Sequence, residues 1–360
     1  MSKVRHIAIL VASLALVACG EGRAPSASAI TIPRAAAASA SVPPSAEPSP
    51  QVKTLNVVRR IPVPGAGPIT YGDGSLWIVS KPEWGLTREP NELNADGTPV
   101  GELYQVDPVS GDVVAHIPGA IGGFPTTGEG AVWLCTLAGG LQLVTRVDMS
   151  THAVTRFATS DLEEYEPETV LVGGGAVWVG NNWAGEIVKV DPTTLDVVQR
   201  IRVSDGDIGG PRSFAAANGS DAWFPISGIG DVVRLDVNES RELSRLDLPD
   251  GQIDGVTLAG NVLYVAHENG IARADVAEVG SEKVLNWRRE HRPAADLEVG
   301  FGSLWAVGGG DGATDDLLRL DPVTLETTGR LSVDDGTSMA LTETSVWVRT
   351  KGELIEVRPD

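Results

Sequence analysis

The stretch GAVWVGNN, residues 175–182, carries a tryptophan three residues after a glycine, inside a short apolar run. The same arrangement returns as GSLWIVS at 74–80, GAVWLCT at 130–136, SDAWFPI at 220–226, NVLYVAH at 261–267, GSLWAVG at 302–308 and TSVWVRT at 344–350. The marker aromatics, Trp77, Trp133, Trp178, Trp223, Tyr264, Trp305 and Trp347, are spaced 56, 45, 45, 41, 41 and 42 residues apart. Seven copies at a period near 42 fit a four-stranded propeller blade. The third copy reads most clearly: TVLVGGG, AVWVGN, GEIVKVDP and DVVQRIRV are four successive strands. AVWV is apolar on both faces, as a strand between two neighbouring sheets must be, so Trp178 is expected to wedge against the next blade. DVVQRIRV carries Gln199, Arg200 and Arg202, polar groups that suit an outer strand with a free edge. Gly173-Gly174-Gly175 supplies the positive φ of a tight hairpin.

A second refrain joins the third and fourth strands: VDPVSGD at 106–112, VDPTTLD at 190–196 and LDPVTLE at 320–326. Asp followed by Pro favours a type I turn. Recurrence at equivalent positions makes these aspartates turn formers rather than catalytic carboxylates. The last copy stops after a third strand, GELIEV, whereas KTLNVVRRIPV, residues 53–63, precedes the first copy as an orphan fourth strand. Pairing the two closes the ring and removes the open edges. The expected fold is therefore an all-β, seven-bladed β-propeller over 53–360, its N-terminal strand completing the last blade.

The residues ahead of the ring set the expected compartment. Lys3 and Arg5 precede the apolar run IAILVASLALV. That run is too short for a bilayer span of about 20 residues but suits the core of a signal peptide over 1–18. Leu16-Val17-Ala18-Cys19 resembles a bacterial lipobox, which implies a diacylglycerol on Cys19 after cleavage. Gly20 follows rather than an aspartate. In a Gram-negative host this resembles the signal for the periplasmic face of the outer membrane; otherwise the outer face of the cell membrane is expected. Residues 19–52 are Ala, Ser and Pro with few large apolar side chains, and cannot bury enough surface to offset their ordering entropy. Such a tether spans on the order of 30 Å. Cys135 is the only other cysteine, so no intramolecular disulfide is expected once Cys19 is lipidated. Loss of Lys3 and Arg5 with the leader moves the net charge from −20 to −22. This acidity excludes nucleic acid and anionic lipid headgroups as partners. The expected partners are the membrane, through the lipid, and a protein or small ligand, with the propeller itself monomeric.

Glycine-x-glycine, an apolar-Trp-apolar strand, then V/L-D-P-x-T and an alternating strand resemble the YVTN/NHL/virginiamycin B lyase-like group of propellers over all of 53–360. The resemblance implies a face where the loops from fourth strand to next blade, and from second to third strand, crowd the axial channel. Binding modules, lactonases and lyases share this group. On the expected face lies the insertion SKPEWGLTREPNELNADGTPV, 80–100, with Glu83, Trp84, Arg88 and Glu89. From Trp77 to Asp107 it makes 30 residues where other copies take 11 to 16. The same face holds Asn181, Asn182 and Trp183, then His267, Glu268 and Asn269. Glu166, Glu168, Arg212, Asp254 and Asp296 stand at the starts of first strands. From these, Trp84, Arg88, Glu168, Asn182, Trp183, Arg212, Asp254, His267, Glu268 and Asp296 form the candidate binding set.

No GxGxxG, Walker lysine, HExxH, paired CxxC or GxSxG occurs. GGGDGATDD, 308–316, lacks the glycine and distal Glu of an EF-hand. The resembled lyase uses a histidine base with magnesium-binding glutamates, and a Glu-x-His pair with a downstream Glu would carry that chemistry over. This chain has Glu290-His291 with Glu298 after, and His267-Glu268; neither spacing matches. The expected function is a lipid-anchored, non-catalytic binding or scaffold module without a cofactor. The alternative is a metal-assisted lyase or lactonase, with Mg²⁺ or Ca²⁺ held at the channel mouth by Glu168, Asp254, His267, Glu268 and Asp296.

Overall fold

Four of the Gly-x-Gly copies fold as two-residue hairpin turns with left-handed φ at both turn residues: Asp73-Gly74, Glu129-Gly130, Gly174-Gly175 and Phe301-Gly302. This twist matches that of the flanking strands. The glycine ahead of each turn has a different task. At Gly72 an added Cβ would lie 2.4 Å from Thr127 Oγ1 and 2.6 Å from Thr127 Cβ, so the missing side chain lets the next blade approach.

The computed structural model describes residues 52–360 apart from 64, 81–100, 121, 139–140, 160–166, 182–183, 205–213, 227–229, 290–293, 309–314 and 360. The expected leader, the lipid site Cys19 and nearly all of the tether lie outside the described residues. Those described contain no helix. Their strands form seven antiparallel sheets, blades 1 to 7, starting at Ala66, Thr126, Pro167, Ala216, Ile253, Ala294 and Ser338. Six blades run inner to outer in chain order. In blade 7, strand Val57–Pro62 pairs antiparallel with Glu353–Val357 as the outermost strand, so the N-terminal segment closes the ring.

The segment 53–63 does not form one continuous strand. Lys53–Thr54 pairs parallel with Thr327–Val333, the outer strand of blade 6, before the chain crosses to blade 7. Leu55 is buried at this crossing, and a Cβ on Gly329 would lie 2.5 Å from its Cδ2. The closing segment thus ties two blades together instead of one.

Each seam between blades has its own apolar cluster containing one marker aromatic. Trp178 packs with Ala222, Phe224 and Val233 of blade 4, and Trp347 with Ile69, Leu76 and Ile78 of blade 1. All six marker tryptophans are fully buried and Tyr264 is 2% exposed. Four indole N–H groups donate to the carbonyl of the glycine five residues earlier: Trp77 to Gly72, Trp133 to Gly128, Trp178 to Gly173 and Trp305 to Gly300, at 3.0–3.1 Å. Trp223 and Trp347, with Asn218 and Thr342 five residues back, leave theirs without a partner. A cation lies over five of the six rings, from Arg234 at 4.9 Å on Trp223 to Arg59 at 5.9 Å on Trp347. Trp77 has instead the edge of His152, whose Nε2 meets Gln105 Oε1 at 3.0 Å.

The aspartate refrain is a longer turn than type I alone. In VDPTTLD, Asp191 Oδ1 accepts from the N–H groups of Thr193 and Thr194. Its carbonyl accepts from Leu195, whose φ is +64°. A register shift follows on the paired strands. Asp148 and Asp321 repeat these bonds, with His152 and Leu325 in the left-handed region. At Asp148 the hydroxyl of Ser150 first, then the N–H and hydroxyl of Thr151, and at Asp191 and Asp321 the backbone N–H groups, hold the carboxyl below the ordinary range.

Candidate functional site: the axial cavity

The innermost strands of all seven blades converge on one axial cavity of about 410 Å³, inside the range of small-molecule pockets. In register, the cavity residue opposite each marker aromatic is Thr70, Thr126, Leu171, Ala216, Thr257 or Ala340 in six blades. In blade 6 it is Glu298, opposite Trp305. This layer of small, apolar and hydroxyl groups is therefore broken by a single carboxyl.

Strand alternation puts Asp296 on the same side as Glu298, two residues earlier. Leu297, between them, is buried in the seam with blade 5. Asp296 is 3% exposed, and its Oδ2 accepts from Met339 N–H of blade 7 at 2.9 Å. Burial first, then the negative charge of Glu298, pushes the Asp296 carboxyl well above its usual range. Burial pushes Glu298 up to about 7. Its residue keeps part of its surface open, so it meets water through the cavity while protein surrounds it otherwise. The described lining contains no lysine or arginine to neutralise the pair.

Two aromatic rings narrow the end nearest Asp296. Phe124, leading into blade 2, meets Phe214, leading into blade 4, edge-on with centroids 4.4 Å apart. Phe214 also bridges to Gly255 of blade 5, with Val256 N–H donating to its carbonyl at 2.9 Å. At the turn end, the hydroxyl of Tyr71 donates to Glu343 Oε2 at 2.5 Å, and the carboxylate raises the phenol to about 12.

Among the described residues expected from sequence, Asp296 alone is found in this lining. Trp84, Arg88, Asn182, Trp183 and Arg212 lie outside the described residues. Glu168 occupies the irregular start of its inner strand, between the paired Pro167 and Thr169, and its side chain is not among those described. Asp254 occupies the matching place in blade 5, where Gln252 Nε2 donates to its Oδ1 at 2.6 Å. His267 is fully buried. Its Nδ1 accepts from Asn269 N–H at 3.0 Å, which leaves Nε2 to donate to the carbonyl of Pro249 at 2.9 Å. Glu268 is exposed and accepts from Gln252 N–H at 3.2 Å. The expected metal set is thus divided among local loop contacts, and among the described residues no three His, Cys, Asp or Glu side chains gather as a cation site. The described members of the set, Asp254, His267, Glu268 and Asp296, do not converge on one point as ligands of a single Mg²⁺ or Ca²⁺ would. Glu298 was missing from the binding set. Its signal was available: a carboxylate two residues after Asp296, on an inner strand whose sister copies carry none at that register.

A closed ring of seven blades around a ligand-sized cavity defines a seven-bladed β-propeller. Among solved structures, the chain is similar to virginiamycin B lyase from Staphylococcus aureus, with a TM-score of 0.62 and 13% identity over 84% of this chain and 99% of that one. It is also similar to a streptogramin B lyase structure, with a TM-score of 0.63 and 15% identity over 83% and 95% of the two chains. No family model and no curated protein matches. At these identities the likeness establishes the fold.

Proposed function

We propose that this chain is an extracytoplasmic binding module, held at a membrane by lipid on Cys19, whose axial cavity takes a small ligand with a substantial apolar part. The observation that carries this reading is the cavity itself: about 410 Å³, walled by all seven blades, with one carboxyl pair set among threonine hydroxyls and the Phe124–Phe214 ring pair. A concave site of this size that brings placed polar groups and ring surface together is suited to a small molecule. Ligand-detected NMR with benzyl alcohol, benzoate and benzylammonium tests it. At least one probe should bind to the full chain, and Ala216→Phe, which fills the lumen, should abolish that binding. Binding untouched by Ala216→Phe, in a variant that still melts cooperatively, refutes the reading. Anchoring is tested separately: incorporation of an alkyne-palmitate label should vanish in Cys19→Ser, and persistence of the label refutes it.

A metal-assisted lyase or lactonase is the second reading. It draws on the names of the two fold neighbours and on a Glu298 carboxyl that holds its proton near neutrality, where a general acid or base works best. A melting midpoint raised by Mg²⁺ or Ca²⁺, and no longer raised in Asp254→Ala or Asp296→Ala, would move the assignment to it.

A further inference from the structure

Among the described residues, the carboxyl pair in the cavity wall has no counter-charge. Buried acids in proteins are normally paired with a cation or kept neutral by a proton. The described lining offers no lysine or arginine. The strands packed on the blade 6 inner strand, Ala294–Gly300, carry Asp254 on Ile253–Ala259, with Tyr264 and the doubly hydrogen-bonded His267 on Val262–His267. Ser303–Gly308 and Ser338–Leu341 carry no ionisable side chain. Among the described residues Glu298 accepts no hydrogen bond, and burial is the sole cause of its raised proton affinity. Asp296 has its backbone donors, from Met339 and Leu297, and no cation. A positive charge arriving through the lumen would meet two acids that no described cation neutralises.

The rest of the wall decides what kind of cation. Phe124 and Phe214, both partly exposed, offer ring surface near the Asp296 end. A hydrated divalent metal ion keeps its water shell and gains nothing from ring surface. An ammonium on an aromatic or aliphatic body satisfies both halves: charge at the acids, apolar surface and cation–π attraction at the rings. The net charge of −20 raises the local concentration of any cation around the ring.

We propose that the axial cavity is a site for an organic monocation, its ammonium or guanidinium group seated at Asp296 and Glu298 and its apolar body against Phe124 and Phe214. This rests on the reading of the cavity as a binding site and names the ligand class. The decisive experiment is calorimetric titration of the full chain at about pH 8 with benzylammonium, its neutral isostere benzyl alcohol and the anion benzoate. Benzylammonium should bind at least tenfold more tightly than either. It should weaken tenfold or more by about pH 5.5, where the pair holds its protons, and near neutrality should release protons, detected as a heat that depends on the buffer. Glu298→Gln should cost benzylammonium tenfold or more at about pH 8 and leave benzyl alcohol unchanged. Proton release by the native chain makes the test independent of whether that variant folds. Binding of benzyl alcohol or benzoate as tight as that of benzylammonium, or cation binding indifferent to pH, overturns the monocation site while leaving the cavity reading intact. No binding of any probe overturns both.

Discussion

Replacing Glu298 by Gln should flatten the dependence of stability on pH between about pH 5 and 8. Burial raises this carboxyl from 4.5 to about 7, so the folded chain holds a proton there that the unfolded chain has released. A group whose folded value is raised contributes its stabilisation fully below the unfolded value, and loses it as pH climbs to the folded one. Stability should therefore fall between about 4.5 and 7. Each tenfold gain in proton affinity on folding is worth about 1.4 kcal/mol, which sets a ceiling of roughly 3 kcal/mol. Solvent reaching the carboxyl through the lumen screens it, so roughly half of that is expected. For a ring of this size 1 kcal/mol moves the melting midpoint by about 2 °C, so the native chain should melt roughly 3 °C lower at about pH 8 than at about pH 5. Asp296, raised by burial and by Glu298, adds to the same sign. The turn aspartates do not confuse the reading. Asp148, Asp191, Asp236 and Asp321 are lowered by hydrogen bonds from backbone and hydroxyl donors, so their contribution is present above the unfolded value near 3.8 and lost below it. Differential scanning calorimetry across this window, native against Glu298→Gln, is the assay. Equal slopes in the two proteins would refute the claim that the carboxyl is buried with a raised affinity for its proton.

Three further outcomes follow from the packing. Deleting 53–63 removes the outer strand of blade 7 and its tie to blade 6, and should abolish cooperative thermal unfolding; a deletion that melts as sharply as the full chain would refute closure by this segment. Gly72→Ala places a Cβ within 2.6 Å of Thr127 Cβ and should cost roughly 1–3 kcal/mol of chemical-denaturation stability. Thr127→Gly should recover most of that loss in a double-mutant cycle, and additive losses would refute the proposed contact. Trp178→Phe strands the Gly173 carbonyl, whereas Trp223→Phe removes an indole N–H that already lacks a partner. The former should cost about 1 kcal/mol more than the latter, and equal losses would refute the indole bond.

The ring was legible because it is written seven times. An aromatic ring, six indoles and the phenol of Tyr264, returning in a short apolar run after a turn reports a local hairpin and an apolar seam, and both depend on neighbours close in sequence. The aspartate refrain was legible for the same reason, although its fifth, left-handed residue was not: His152, Leu195 and Leu325 carry no glycine to advertise the conformation. The site was legible only in part. Asp296 stood out as an acid at the start of a first strand, but Asp254 and His267 stood out equally, and their side chains turn to Gln252 and to Pro249 and Asn269. Glu298 was passed over although it stands two residues after Asp296, because its place opposite Trp305 matters only when the seven inner strands are aligned in register.

By itself, the sequence determined the number of blades, their order, the turn chemistry and the strand that seals the ring, because hydrophobic period and turn residues act over a few positions of chain. Tertiary structure alone decided which side chains share the axis. Phe124 and Phe214 meet from blades 2 and 4, and Asp296 bonds to Met339 from blade 7. Such neighbours are set by the angle at which each sheet packs on the next, a property of the closed ring that no single repeat contains. The proton held by Glu298 is likewise a consequence of the seven walls around it.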